Sequence, residues 1–216
     1  MGTIGALVEG QTEEQFIKIV LAPFLQRRNI FVEPIVIKTK VTKQGKHFKG
    51  GINSYAQVER DLRKLPPKKY SYVTTMFDVY QLPEDFPGYK EAQRYRQSPH
   101  KYVEVLEREF AKDIDRERFI PYLSLHEFEA LLFAAPEQII DRLSGIDAAK
   151  IEKIVEQFPT PEDINHDAPP SKRLAALYRS YGKVRHGIMI VKEIGIERLR
   201  ATCPHFNQWV NQLETI

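Results

Sequence analysis

Five carboxylates in this sequence are spaced so that they could act together. Glu9 ends the run TIGALVE and is followed by Gly10 and then Glu13; Asp78 ends YSYVTTMFD; Glu127 and Glu129 open HEFEALLF. Glu9, Asp78 and the Glu127/Glu129 pair each follow a short apolar run that reads as a buried strand. In an open parallel sheet the carboxyl ends of the strands lie along one edge, and ligands bind in the crevice beyond it. Acids far apart in sequence then meet there. Carboxylates brought together repel one another unless protons or a cation neutralise them. A hard, oxygen-preferring divalent ion, Mg2+ or Mn2+, is the natural occupant. Taken singly, each acid also reads as an ordinary strand end. Glu13 and Glu14 further suit the positive end of a helix dipole. The repetition is what points to a site.

Other chemistries fit less well. His126 precedes Glu127, but an HExxH zinc motif needs a histidine where Ala130 stands, so His126 reads as a hydrogen-bonding neighbour. The stretch GKHFKGG lacks the spacing of a Walker loop, and no serine sits in a G-x-S-x-G turn. Cations are placed more suggestively. Lys172 and Arg173 lie in APPSKRL, where Ser171 is expected to cap a helix whose free N–H groups would sit beside them. Lys183, Arg185 and His186 form a second basic group. Lys40, Lys43, Lys46 and Lys49 punctuate KTKVTKQGKHFK, which contains no acid. That stretch reads either as a solvated loop or as an electrostatic guide for a nucleic-acid backbone.

The elements needed to position these groups are legible. TIGALV is expected as a first strand, followed by a helix capped by Thr12 and running from Glu13 to about residue 28. FVEPIVI is a second strand, which Pro34 confines to an edge or a bulge. A helix over 54–64, the strand ending at Asp78, a helix over about 98–112 and a strand over 119–125 follow, and HEFEALLF has helical periodicity. This alternation predicts an α/β domain over 1–135 with a mostly parallel sheet flanked by helices. Residues 136–216 read as a helical C-terminal subdomain packed on it. The chain has 216 residues, 42% hydrophobic and 28% charged, with a net charge of +3 and pI near 8.8, which permits a polyanionic partner. No apolar run is long enough for a membrane span, no secretory leader is evident, and the single Cys203 allows no internal disulfide. The expected location is the cytoplasm.

The stretch LVEGQTEEQF resembles the first motif of TOPRIM domains, a metal-dependent fold found in topoisomerases, primases and the nucleases attached to overcoming-lysogenization-defect ATPases. FDVYQLPEDFPG, LHEFEALLF, PSKRL, YGKVRHG and CPHFNQWVNQL together are similar to a bacterial TOPRIM-like family of unknown function, numbered 4276, over nearly the whole chain. The resemblance implies a metal bound by Glu9, Glu13 and Asp78, with Glu9 as ligand or base. It also implies a nuclease, working with a partner ATPase in a defence-type system. One position departs from the pattern. The family's D-x-D reads Asp78-Val79-Tyr80 here, so a phenol replaces the second acid. Glu127 or Glu129 could restore the missing charge, with Asp85 as a further substitute. Tyr80 keeps a non-catalytic nucleic-acid or partner-binding module open as the alternative, and a hydrolase of small phosphoesters is a third reading.

Overall fold

The computed structural model describes residues 3–37, 51–164 and 168–216. Lys40, Lys43, Lys46 and Lys49 lie outside the described residues. Strand β1 (Thr3–Val8) leads through Glu9 and Gly10 into one continuous helical stretch made of α1 (Gln11–Phe16), a π-helical turn (Ile17–Leu21) and α2 (Ala22–Gln26). The residue that caps it is Gly10 rather than Thr12. Its N–H donates to the Glu13 carboxylate at 3.0 Å, so the cap is supplied from three residues inside the helix.

Strand β2 (Phe31–Val36), helix α3 (Tyr55–Arg63), strand β3 (Tyr72–Asp78), and helices α4 (Tyr89–Ala92) and α5 (Pro99–Ile114) follow. Two short strands, β4 (Phe119–Ile120) and β5 (Leu123–Ser124), replace the single strand expected over 119–125. All pairings are parallel, in the order β2-β1-β3-β4, with β5 also on β3. Pro34 is on the edge strand β2, as its missing N–H requires.

Pro121 explains the break between β4 and β5. It has no N–H to give the ladder, and threonine hydroxyls on β3 take over there. Thr74 Oγ1 donates to the Ile120 carbonyl at 2.6 Å. Thr75 Oγ1 donates to the Tyr122 carbonyl at 3.1 Å and accepts the Tyr122 N–H at 3.0 Å. Thr75→Val keeps the shape but leaves that buried N–H without its acceptor. It should cost about 1–3 kcal/mol in urea denaturation; an unchanged midpoint would show that the hydroxyl bridge carries no stability.

The rest of the chain is helical among its described residues. A 3-10 stretch (Phe128–Ala134) stands where HEFEALLF suggested an α-helix. It precedes α6 (Pro136–Arg142), α7 (Ala148–Glu156), α8 (Pro170–Leu177), a π-helical turn (Lys183–Gly187), α9 (Ile188–Thr202) and α10 (Pro204–Glu214). Side chains alternate across the sheet. Ile4, Ala6, Val8 and Met76 join a core with Phe16, Leu21, Leu132, Val191 and Phe206; Leu7, Val73 and Phe77 join another with Val58, Leu106 and Phe110. Residues 136–216 thus share their core with α1, α2 and one sheet face. Trp209 of α10 fastens this side, stacking on Tyr122 at 4.2 Å between ring centroids and donating its indole N–H to Thr74 Oγ1 at 2.8 Å. Glycine is required at position 5, where a Cβ would stand 2.9 Å from the Tyr70 ring. No helix among the described residues is long and apolar enough to cross a membrane.

Candidate metal and phosphate site

The parallel register brings the predicted acids to one edge. Val8 pairs with Met76 and Asp78 with Ser124, so the segment after β1, the end of β3 and the segment after β5 emerge side by side. Glu9 and Glu13 are each 8% exposed, Asp78 6% and Glu129 0%. The Asp78 N–H points to Glu9 Oε2 at 3.5 Å, while Asp78 Oδ1 is buried with no hydrogen-bond partner among the described residues.

Electrostatics bind these residues into one group. Burial pushes the Glu9 carboxyl up to about 7, and the charge on Glu13 adds to the rise. Burial drives Asp78 well above the usual carboxylate range, with Glu13, Glu9 and Glu129 reinforcing the shift and Lys183 opposing it. Glu13 and Glu129 are also raised by burial, against the pull of Lys183. Burial lowers the Lys183 ammonium, but Glu129, Glu127 and Asp78 more than restore it, and its net shift is upward.

Lys183, read from sequence as a nucleic-acid contact, is thus placed against the acids. Its Nζ lies 3.0 Å from Glu129 Oε2 and 3.6 Å from Glu127 Oε1. Tyr181, which sequence reasoning did not single out, donates its hydroxyl to Glu129 Oε1 at 3.5 Å. Glu127 Oε2 accepts the Ser171 N–H at 3.0 Å. Ser171 is therefore not the cap of α8, which begins at Pro170, and its N–H is already taken. Arg173 donates to the Ala168 carbonyl at 2.7 Å and lies over the Phe158 ring, which ties it to the local fold; Lys172 and Arg185 are exposed. Asp85 is also committed elsewhere, because its carboxylate accepts the Tyr55 N–H at the start of α3. Tyr80 is 63% exposed on the turn after Asp78.

Among the described residues, no three acidic, histidine or cysteine side chains stand close enough together to hold a metal ion as placed. The donor chemistry nevertheless suits a hard cation. The converging groups Glu9, Glu13 and Asp78 are all carboxylates, their mutual repulsion is unrelieved by burial, and one Asp78 oxygen is unpartnered.

The architecture is that of an α/β protein with a parallel sheet, helices on both faces, and a cluster of buried acids at the carboxyl edge of its strands. The chain belongs to the family described as Domain of unknown function (DUF4276), which matches residues 8–214. Two solved structures of the C-terminal region of the Xanthomonas campestris pv. campestris OLD protein are similar to it. The one phased with mercury has a TM-score of 0.41, 15% identity, and 97% coverage of both chains. The one phased with iodine has a TM-score of 0.40 and 15% identity, covering 99% of this chain and 98% of the other. No curated protein matches the chain.

Proposed function

We propose that the protein is a TOPRIM-like phosphoryl-transfer enzyme dependent on Mg2+ or Mn2+, a nuclease acting on nucleic acid. The observation that carries this reading is the convergence of Glu9, Glu13 and Asp78 at the carboxyl edge of the sheet, with Asp78 Oδ1 buried and unpartnered. When bound, such an ion polarises a phosphoryl oxygen and acidifies a water. Asp78 is the principal ligand, and Glu9 serves as ligand or base. Lys172, exposed in the first turn of α8, and the exposed Arg185 are suited to backbone phosphates. Lys40, Lys43, Lys46 and Lys49 would extend that contact, and a partner ATPase follows from the resemblance.

The test is cleavage of labelled DNA and RNA in Mn2+ against EDTA. Activity should vanish in EDTA, and Glu9→Gln and Asp78→Asn should each lower it by about a hundredfold or more. Cleavage that survives both substitutions sinks the reading. Exposed Tyr80 favours a second one, a module that binds nucleic acid without cutting it. That module would show salt-sensitive binding and no measurable Mn2+ affinity.

A further inference from the structure

The five carboxylates differ in what already occupies their oxygens. All four oxygens of Glu127 and Glu129 have a partner: Ser171 N–H and Lys183 for the first, Tyr181 O–H and Lys183 for the second. Among the described residues, Glu9 receives a long contact from the Asp78 N–H, Glu13 accepts backbone N–H groups at the start of α1, that of Gly10 among them, and Asp78 Oδ1 has no hydrogen-bond partner. The segment carrying Lys183 is itself built in place. His186 Nδ1 accepts the Gly182 N–H at 3.0 Å, and the His186 ring stacks on Tyr181. A Cβ at Gly187 would stand 3.0 Å from the Tyr181 hydroxyl, so a larger residue there would press on the hydroxyl that meets Glu129. The turn that starts at Lys183 is π-helical, a form frequent at functional sites. The Lys183 side chain is 43% exposed, and its ammonium has three N–H donors for the two carboxylates beside it.

We infer that the cluster is divided: Glu9, Glu13 and Asp78 take the cation, whereas Glu127, Glu129 and Tyr181 hold Lys183 as a fixed ammonium, and a substrate phosphate is bound between the two. This rests on the proposed metal-dependent reading and assigns Glu127 and Glu129 as positioning residues rather than ligands. It also makes Lys183 the phosphate contact in preference to Lys172 and Arg173.

Mn2+ binding by calorimetry and electron paramagnetic resonance separates the two halves, with thermal melts confirming that each variant folds. Asp78→Asn should weaken Mn2+ by about a hundredfold or more, and Glu127→Gln or Glu129→Gln by no more than about tenfold. Lys183→Met should bind Mn2+ at least as tightly as the wild type, yet bind a labelled oligonucleotide in Ca2+ about tenfold more weakly. The division is overturned if Glu127→Gln or Glu129→Gln loses Mn2+ as severely as Asp78→Asn, or if Lys183→Met leaves oligonucleotide affinity unchanged. A wild type that binds no Mn2+ instead removes the metal-dependent reading, and the division with it.

Discussion

In EDTA at about pH 7.5, the Asp78→Asn protein is expected to melt higher than the wild type while losing cleavage in Mn2+. The reason is the buried charge. Asp78 sits among Glu9, Glu13 and Glu129, where burial and like charge penalise its ionised form, and only Lys183 opposes them. Asparagine has nearly the same shape without the charge, so it relieves the penalty and removes the ligand at once. The wild type should show the same penalty as a pH slope. A carboxyl whose folded pKa is raised binds more protons folded than unfolded, so stability falls as pH rises between the two values. For Glu9 the window runs from 4.5 to about 7. A shift of that size corresponds to about 3 kcal/mol, fully lost above the folded value. Mn2+ should therefore raise the melting temperature at about pH 7.5 and do little at about pH 4.5, where the carboxyls are protonated. Melting curves across this range, with and without Mn2+, are the measurement. A wild type indifferent to both pH and Mn2+ would contradict the account.

A second large effect is expected away from the acid cluster. Glu162, 3% exposed, accepts the His205 and Phe206 N–H groups at 2.9 Å each and so closes the start of α10 from a distant segment. Glu162→Ala strands two buried donors and should cost roughly 3–5 kcal/mol, whereas Glu162→Gln keeps one acceptor and should cost about half. The His205 ring adds a pH signature. Burial lowers its pKa, but its hydrogen bond to Glu107 at 3.1 Å and the charges of Glu107, Glu162 and Glu104 raise it further. With a folded pKa above 6.5, His205 stabilises fully below that value and loses its contribution as pH rises through the raised one. Urea denaturation of the two Glu162 variants decides the matter: a Glu162→Ala cost below about 1 kcal/mol would show that the closure is supplied by other groups.

Features set by neighbouring residues were legible in the sequence. Short apolar runs closed by acids located β1 and β3, and Pro34 placed β2 at an edge. The helical character of the chain after residue 136 followed from the absence of strand-like runs. What escaped depends on partners remote in sequence. Nothing beside Lys183 announces that Glu127 and Glu129 will claim it, and nothing beside Glu162 announces α10. Local preference also misled at several points, the expected Ser171 cap of α8 among them. Gly10 rather than Thr12 starts α1, because Glu13 reaches back to its N–H. HEFEALLF tightens into a 3-10 stretch, and Pro121 divides a strand that its apolar neighbours suggested was whole.

The indole of Trp209 gives the molecule an optical probe of its own. It is the one tryptophan in the sequence, and it reads the junction between α10 and the sheet. Emission from so enclosed a ring should lie toward the blue and shift red only when α10 lifts from Tyr122 and Thr74. Rapid-mixing fluorescence therefore follows the docking of the last helix onto β3 in the unmodified protein, with no label added.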